Sequence, residues 1–198
     1  MKIIRTFLLS AFVFASLQAM PLMEGAEYSI DKAHSNIGFK VTHMVLAKVR
    51  GEFKKYDIKL TYDEANIEKS SVEVTIEVAS INTEEEKRDN HLRSPDFFAA
   101  EEFPSITFKS SAIKKEGEQL FAIGKLTIRN VTKEIKLPFE ITGKIVDPWG
   151  NTRIGVEASL KINRKDYGVN WSKVMDNGGF VVSDDVLIEI QVEAIQKK

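Results

Sequence analysis

The sequence of 198 residues lacks cysteine, has only five prolines and three histidines, and shows almost no excess of either charge. The absence of cysteine excludes a disulfide framework, a thiolate metal site and a cysteine nucleophile. Lys and Arg number 28 against 29 Asp and Glu, so the basic excess that is typical of nucleic-acid binding is missing. We therefore expect no nucleic-acid partner. The hydrophobic content of 43% is too high for a disordered chain.

Sequence motifs of enzymes are also missing. There is no G-x-S-x-G nucleophile motif, and no glycine-rich phosphate loop precedes a helical segment. The histidines His34, His43 and His91 lie 9 and 48 positions apart and lack the spacing of zinc ligands on a helix. We predict a protein that is not an enzyme and that uses no cofactor or metal.

Residues 1–19 have the layout of a secretory signal peptide. Lys2 and Arg5 precede a short apolar run, and Ala19 is a small residue suited to the position before a cleavage site. The run has about a dozen residues, whereas a helix that spans a bilayer needs about 20. We therefore expect a mature domain over residues 20–198 without a transmembrane segment. Because an exported chain without cysteine does not depend on disulfides, a bacterial periplasm is the predicted location.

Apolar and polar residues alternate along most of the remaining chain. The stretch 72–78, Val-Glu-Val-Thr-Ile-Glu-Val, shows the pattern most clearly. Alternation places one class of side chain on each face of a β-sheet, so these rows predict about eight antiparallel strands with one dry face. The other apolar rows lie within 37–41, 58–62, 106–108, 120–128, 135–145, 154–162 and 186–194.

Three stretches interrupt the alternation and predict short helices between strands. Thr83 and Glu86 form a capping-box pattern that predicts a helix through Leu92. Ser94 and Pro95 have the residue types of an N-cap and a first helical position, which predicts a second helix that ends before Pro104. A third helix is predicted over residues 43–49, ended by Gly51.

Eight strands with one apolar face can hide it in two ways, because they stack as two sheets or close into a barrel. Closure removes the sheet edges, and its interior is either filled by side chains or holds one small ligand. Small residues on the predicted inward face would leave room for such a ligand. They are Ala122, Gly124, Gly143, Ala158 and Ala194. The alternation alone leaves a packed core and a ligand cavity both open.

Several motifs, in this order, resemble those of the YceI-like family. The resemblance covers nearly the whole predicted mature chain. The matching stretches are residues 31–43 (DKAHSNIGFKVTH), 80–83 (SINT), 88–98 (RDNHLRSPDFF), 103–108 (FPSITF), 124–133 (GKLTIRNVTK) and 162–168 (INRKDYG).

The resemblance implies an all-β, eight-stranded, lipocalin-like antiparallel barrel that holds a long isoprenoid or fatty-chain lipid in its lumen. It also implies an exported bacterial protein, in many members stress-responsive, with a possible homodimer. Together with the alternating rows, it predicts which side chains form the wall of the ligand site. These are Phe39, Val41, Phe53, Val74, Ile76, Phe97, Phe98, Phe108, Leu126, Phe139, Val156 and Ile188.

Two polar residues are further candidates for the ligand site. His43 ends the inward row of Phe39 and Val41, so it could meet a polar head group or be a structural histidine bonded to a carbonyl. Arg88 lies on the first predicted helix and could contact the ligand. It could instead pair with Asp166 across the barrel mouth, and Arg164 could pair with Asp89 in the same way.

The leading functional hypothesis is a periplasmic carrier or store for a long-chain lipid. A second hypothesis is a filled β-sandwich that acts as a protein-interaction or stress-response module without a ligand. A third is an enzyme that uses His43 on a lipid head group.

Overall fold

The computed structural model describes residues 25–175 and 180–198, and the alternating rows form eleven antiparallel strands with one α-helix. The predicted signal peptide lies outside these residues. The strands are β1 (Ala26–Ile30), β2 (Asn36–His43), β3 (Ala47–Phe53), β4 (Tyr56–Tyr62), β5 (Ser71–Glu77), β6 (Ile81–Asn82), β7 (Ser105–Glu116), β8 (Gln119–Ile128), β9 (Val131–Val146), β10 (Thr152–Asn163) and β11 (Val182–Gln196). The helix α1 is Glu86–Arg93.

The eleven strands form a closed barrel of eight strand positions. Short 3₁₀ turns separate β1 from β2 and β5 from β6, and Lys54 and Lys55 separate β3 from β4. Each of these pairs runs in one direction along the wall and occupies one position of the barrel. Neighbours in the chain are neighbours in the wall, and β11 closes the ring by pairing with both β1 and β2. The predicted barrel is therefore confirmed, and the stacked sandwich is wrong because pairing at this seam leaves no open edge.

The predicted positions of the helices are less accurate than those of the strands. Helix α1 exists, but its N-cap is Glu85, whose carboxylate accepts hydrogen bonds from the backbone of Lys87 (3.2 Å) and Arg88 (2.7 Å). The capping box from Thr83 is wrong because the Thr83 hydroxyl donates to the carboxylate of Asp89 instead (2.5 Å).

The other two predicted helices do not form. Residues 95–103 are turns, because the backbone N–H of Ser94 closes α1 on His91 and Ala99 adopts a positive φ of 47°. Residues 43–49 form a β-hairpin, in which His43 pairs with Ala47 around a tight turn of three residues. Here pairing with a neighbouring strand outweighs a local helical pattern.

The two ends of the barrel differ. The helix end carries α1, the turns of 95–103, the β2–β3 hairpin turn and the 3₁₀ turn Arg164–Tyr167. The opposite end carries the β9–β10 turn and a cluster of ionic side chains around Arg153, and we call it the ion-pair end. Tyr28, Ile154 and Ala194 are at most 3% exposed and fill the barrel near the ion-pair end. Among the described residues, no helix has the length and apolar character needed to cross a membrane.

Candidate functional site

The barrel encloses a cavity of about 260 Å³. One water molecule needs only about 10–15 Å³ of such space, so the void is far larger than an ordinary packing defect. The inward rows of all eight strand positions line it, from Ile113 and Ile154 towards the ion-pair end to Val41 and Val182 towards the helix end.

Twelve of the fourteen predicted site residues line the cavity. Aromatic residues of separate elements meet there, as in the contacts of Phe53 with Phe39 and with Phe98, whose ring centroids are both 6.1 Å apart. The twelve are Phe39, Val41, Phe53, Val74, Ile76, Phe97, Phe98, Phe108, Leu126, Phe139, Val156 and Ile188. Their position is that of a wall, and their contact with a ligand remains a prediction.

His43 and Arg88 do not belong to the cavity lining. His43 is the last residue of β2 and pairs with Ala47 on β3 and with Val182 on β11, whose register shifts between Val182 and Val186. The Arg88 guanidinium donates to the hydroxyl and the carbonyl oxygen of Thr83, both at 2.7 Å. β2 continues unbroken to His43, but His43 is not among the residues that line the cavity, and its contact with a lipid head group stays a prediction.

The predicted ion pairs across the barrel mouth are also wrong. Asp166 pairs with Lys133 at 3.1 Å, and Asp89 is bonded to Thr83. Arg88 is occupied by Thr83, so it is not available to Asp166. The segment that follows α1 is instead held by Arg129, the residue directly after β8. The Arg129 guanidinium donates to the backbone carbonyls of Pro95 and Phe97.

Arg164 is a lining residue that the sequence analysis missed. Its side chain is 6% exposed, and it donates to the carbonyls of Ser183 (2.9 Å) and Val169 (2.6 Å) and to the carboxylate of Asp184 (3.3 Å). Burial lowers the pKa of the guanidinium, while Asp184 opposes that shift. Because these contacts take up donors of Arg164, we interpret it as the residue that attaches the loop after β10 to β11. Its place in the motif 162–168 was the available signal.

An aromatic cluster at the helix end was missed as well. The rings of His91, Phe97 and Trp171 lie 5.0–5.2 Å apart in pairs. Phe97 and its neighbour Phe98 line the cavity, so the cluster connects the segment after α1 with the segment after the 3₁₀ turn Arg164–Tyr167. Trp171 lies in no strand row, and periodicity therefore gave no reason to place it there.

The group of side chains that most resembles a metal site lies at the ion-pair end. Oxygen or nitrogen atoms of Asp31, His34 and Glu193 come within 4.8 Å of one another. The Arg153 guanidinium lies among them, at 2.9 Å from Asp31 and in contact with Glu193, and at 2.7 Å from Asp147. Since the Arg153 guanidinium already pairs with these carboxylates, we interpret the arrangement as an ion-pair cluster that connects β1, β10 and β11.

Contacts within the ion-pair cluster shift the pKa values of its carboxyl groups. Hydrogen bonds with His34 and Arg153 lower the pKa of Asp31 from 3.8 to about 2. Burial alone would raise the pKa of Asp147, but hydrogen bonds from Arg153, Asn151 and Trp149 hold it well below its usual range. An unfolded chain would take up these protons at higher pH than the folded chain. The stabilisation is therefore complete above about pH 4 and is lost as the pH falls towards about 2.

Replacing Arg153 with methionine is expected to lower the melting temperature at pH 7, because the buried carboxylate of Asp147 loses its cation. The further loss of stability between about pH 4 and pH 2 should then be smaller than in the wild type. Calorimetric melting at several pH values tests this. Lys161→Met is the control, since Lys161 and Asp185 form an exposed pair that contributes little. Equal shifts in both variants would contradict the prediction.

Eight meandering antiparallel strands, a closed seam and an apolar interior define a lipocalin-like β-barrel with an internal cavity. A YceI-like domain is matched over residues 28–194. Protein YceI of Salmonella newport is 38% identical over 194 residues, which are 97% of this chain and 96% of the relative. The chain therefore belongs to the YceI-like family.

Solved structures have the same fold. The Campylobacter jejuni YCEI protein has a TM-score of 0.69 and 37% identity, over 86% of this chain and 98% of that one. BcnA of Burkholderia cenocepacia has a TM-score of 0.74 and 25% identity, over 83% and 99%. A polyisoprenoid binding domain from Saccharophagus degradans has a TM-score of 0.63 at 16% identity, over 87% and 99%, and shows the shared fold alone.

Proposed function

We propose that this protein binds a long-chain isoprenoid or fatty lipid in the lumen of its barrel. The observation that carries the proposal is the cavity itself, a void of about 260 Å³ whose lining is almost entirely aliphatic and aromatic. Polar solutes would lose hydrogen bonds to water there and find few replacements. The polyisoprenoid binding domain of Saccharophagus degradans, built on the same fold, supports this class of ligand.

The length of the ligand follows from the binding free energy. Each buried methylene contributes about 0.8 kcal/mol, so about fifteen carbons contribute about 12 kcal/mol. Association and ordering cost about 4–15 kcal/mol. A short apolar molecule would therefore bind weakly, and the cavity favours a long chain.

We further propose that the protein acts as a carrier or store in the periplasm. The signal-peptide layout of residues 1–19 supports export, and a water-soluble barrel that covers an apolar chain would allow the lipid to leave a membrane.

The hypothesis of a filled interaction module loses its structural premise, because the barrel is not filled. The enzyme hypothesis gains no support from the cavity lining, which does not include His43. Homodimer formation remains a prediction.

Native mass spectrometry of the purified protein tests the proposal. We expect a mass above that of the polypeptide, and organic extraction should release a chain-like lipid of the matching mass. The delipidated protein should then regain one equivalent of a polyprenol or of palmitate from detergent solution. If the protein carries no lipid and takes up neither probe, the proposed function is wrong.

A further inference from the structure

The turn between β2 and β3 exposes three consecutive apolar side chains to solvent. Met44 is 41% exposed, Val45 74% and Leu46 90%. Single apolar residues on a surface are ordinary, but a contiguous apolar patch marks an interaction surface. The shape of this turn fits a partner that accepts a small, protruding apolar tip.

A second exposed apolar pair lies beside this turn. The backbone N–H of Met44 donates to the carbonyl of Val181 (2.9 Å), and the neighbouring bridge pairs Val174, 62% exposed, with Phe180, 46% exposed. We call Met44, Val45, Leu46, Val174 and Phe180 the apolar rim. The rim lies next to the mouth of the cavity, because Val41 on β2 and Val182 on β11 lie within a few residues of it and line the cavity.

The conformation of the turn is unfavourable for the residues that form it. Met44 and Val45 have φ values of 49° and 63°, and the N–H of Leu46 donates to the carbonyl of His43 at 3.0 Å. Two positive φ angles define a type I′ turn, in which Asn-Gly is strongly preferred. A β-branched residue with positive φ is an outlier. The backbone preference of the turn therefore does not explain Met44 and Val45. A contact of their side chains with a partner would explain them.

Exposed basic side chains flank the apolar rim along the chain, since Lys48 and Arg50 follow the turn on β3 and Lys173 precedes Val174. Lys48, Arg50 and Lys173 are exposed, and none lies within ion-pair distance of a carboxylate in the part of the chain that the structure describes. The nearest acidic residues after Phe180 are already paired, Asp184 with Arg164 and Lys165, and Asp185 with Lys161. Basic side chains beside a small apolar tip complement the surface of an anionic bilayer.

We propose that the apolar rim docks on an anionic lipid bilayer and holds the helix end of the barrel against it. The purpose of this docking rests on the proposed function, because it would place the cavity beside the bilayer from which the bound lipid is taken. A second copy of the chain fits the rim less well. A stable protein interface involves about 20–30 residues on each side, whereas the rim offers five apolar side chains on a convex tip.

Co-sedimentation with vesicles of phosphatidylethanolamine and phosphatidylglycerol tests the docking. We expect the wild-type protein to sediment with these vesicles. The double variant V45S/L46S should bind them about tenfold less, because two exposed side chains no longer enter the bilayer. The control is I145S/V146S at the ion-pair end, which removes two aliphatic side chains of similar exposure, 62% and 69%, and should bind like the wild type.

A second variant separates docking from folding. Replacing Met44 with Asn and Val45 with Gly supplies the preferred type I′ residues, so M44N/V45G should melt at a higher temperature than the wild type and still lose vesicle binding. V45S/L46S and M44N/V45G should both take up palmitate from detergent as the wild type does. The palmitate assay therefore tests the proposed lipid binding independently of vesicle docking. Equal binding by all variants, or a loss only in I145S/V146S, would overturn the docking. So would a wild-type dimer that V45S/L46S converts to monomer.

Discussion

A protein with tryptophan in place of Val74 is expected to fold and to contain no lipid. Val74 is half-buried, lines the cavity and lies between Ile58 on β4 and Phe108 on β7, which are its cross-strand partners and also line the cavity. The larger side chain enters space that the lipid would use, so the amount of bound lipid should fall about tenfold or more. A loss of about 1.4 kcal/mol in binding free energy is sufficient for that change.

The stability of Val74→Trp distinguishes an empty cavity from a filled core. In a filled core, the added volume would overpack the interior and cost about 1–3 kcal/mol or more. In a barrel with free space, most of the new side chain fits, so the melting temperature should change little. Lipid content is measured by native mass spectrometry and extraction, and stability by calorimetry.

Thr75→Trp is the matched control. Thr75 is the next residue on β5, and its side chain is exposed on the outer face. The same new residue on the outside of the same strand should leave the lipid content unchanged. If both variants retain lipid, the ligand does not occupy the lumen beside β5; if both lose it, the effect does not arise from the cavity.

The second large effect is expected from Gly124→Ala, which should strongly destabilise the barrel. A methyl group at Gly124 would lie 2.8 Å from the Cα of Ser110 and 2.9 Å from the carbonyl carbon of Lys109, and closer still to the Lys109 oxygen. These are backbone atoms at the point where the register of β7 shifts, so they cannot move away without breaking strand pairs. We expect a loss of about 3 kcal/mol or more in the free energy of unfolding.

Gly143→Ala provides the opposite result from the same chemical change. No atom lies within 4 Å of a methyl group built on Gly143, and its φ is not positive. Alanine there reduces the entropy of the unfolded chain, so the protein should be unchanged or slightly more stable, by about 0.4–1 kcal/mol. Thermal or urea unfolding of the two variants gives the comparison. Similar destabilisation of both would show that the close approach of β7 to Gly124 is not responsible.

The glycines illustrate how far the residue pattern can be interpreted. The pattern placed five small residues on the inward face, where they would leave room for a ligand, yet only Ala122 and Ala158 line the cavity. Gly124 allows two backbones to approach, and Gly143 lies on an exposed part of β9. A missing side chain leaves room in every case, but the path of the neighbouring strand decides what uses that room.

The two predicted helices that do not form show the same limit of the sequence pattern. Residues 43–49 and 95–103 have local patterns of helix formers and caps, but one forms a hairpin and the other a series of turns. In the first case a partner strand competes for the backbone hydrogen bonds. In the second, the positive φ of Ala99 and the packing of Phe97 and Phe98 towards the lumen prevent a continuous helix. Strand pairing and packing towards the lumen both depend on distant residues, so a window of a few residues does not reveal either effect.

By itself the sequence determined the number of strand positions and the faces that turn inward, because alternation depends only on the geometry of each strand. Motif order added the family, and with it a wall of twelve residues that the structure brings together. Only the tertiary structure decided that the barrel closes at β11, that a cavity remains inside, and that His43 and Arg88 lie outside it. Those features depend on strand register, on breaks within strands and on contacts between residues far apart in the chain. The physical reason is that a cavity is the volume left over by all side chains together, which no single segment specifies.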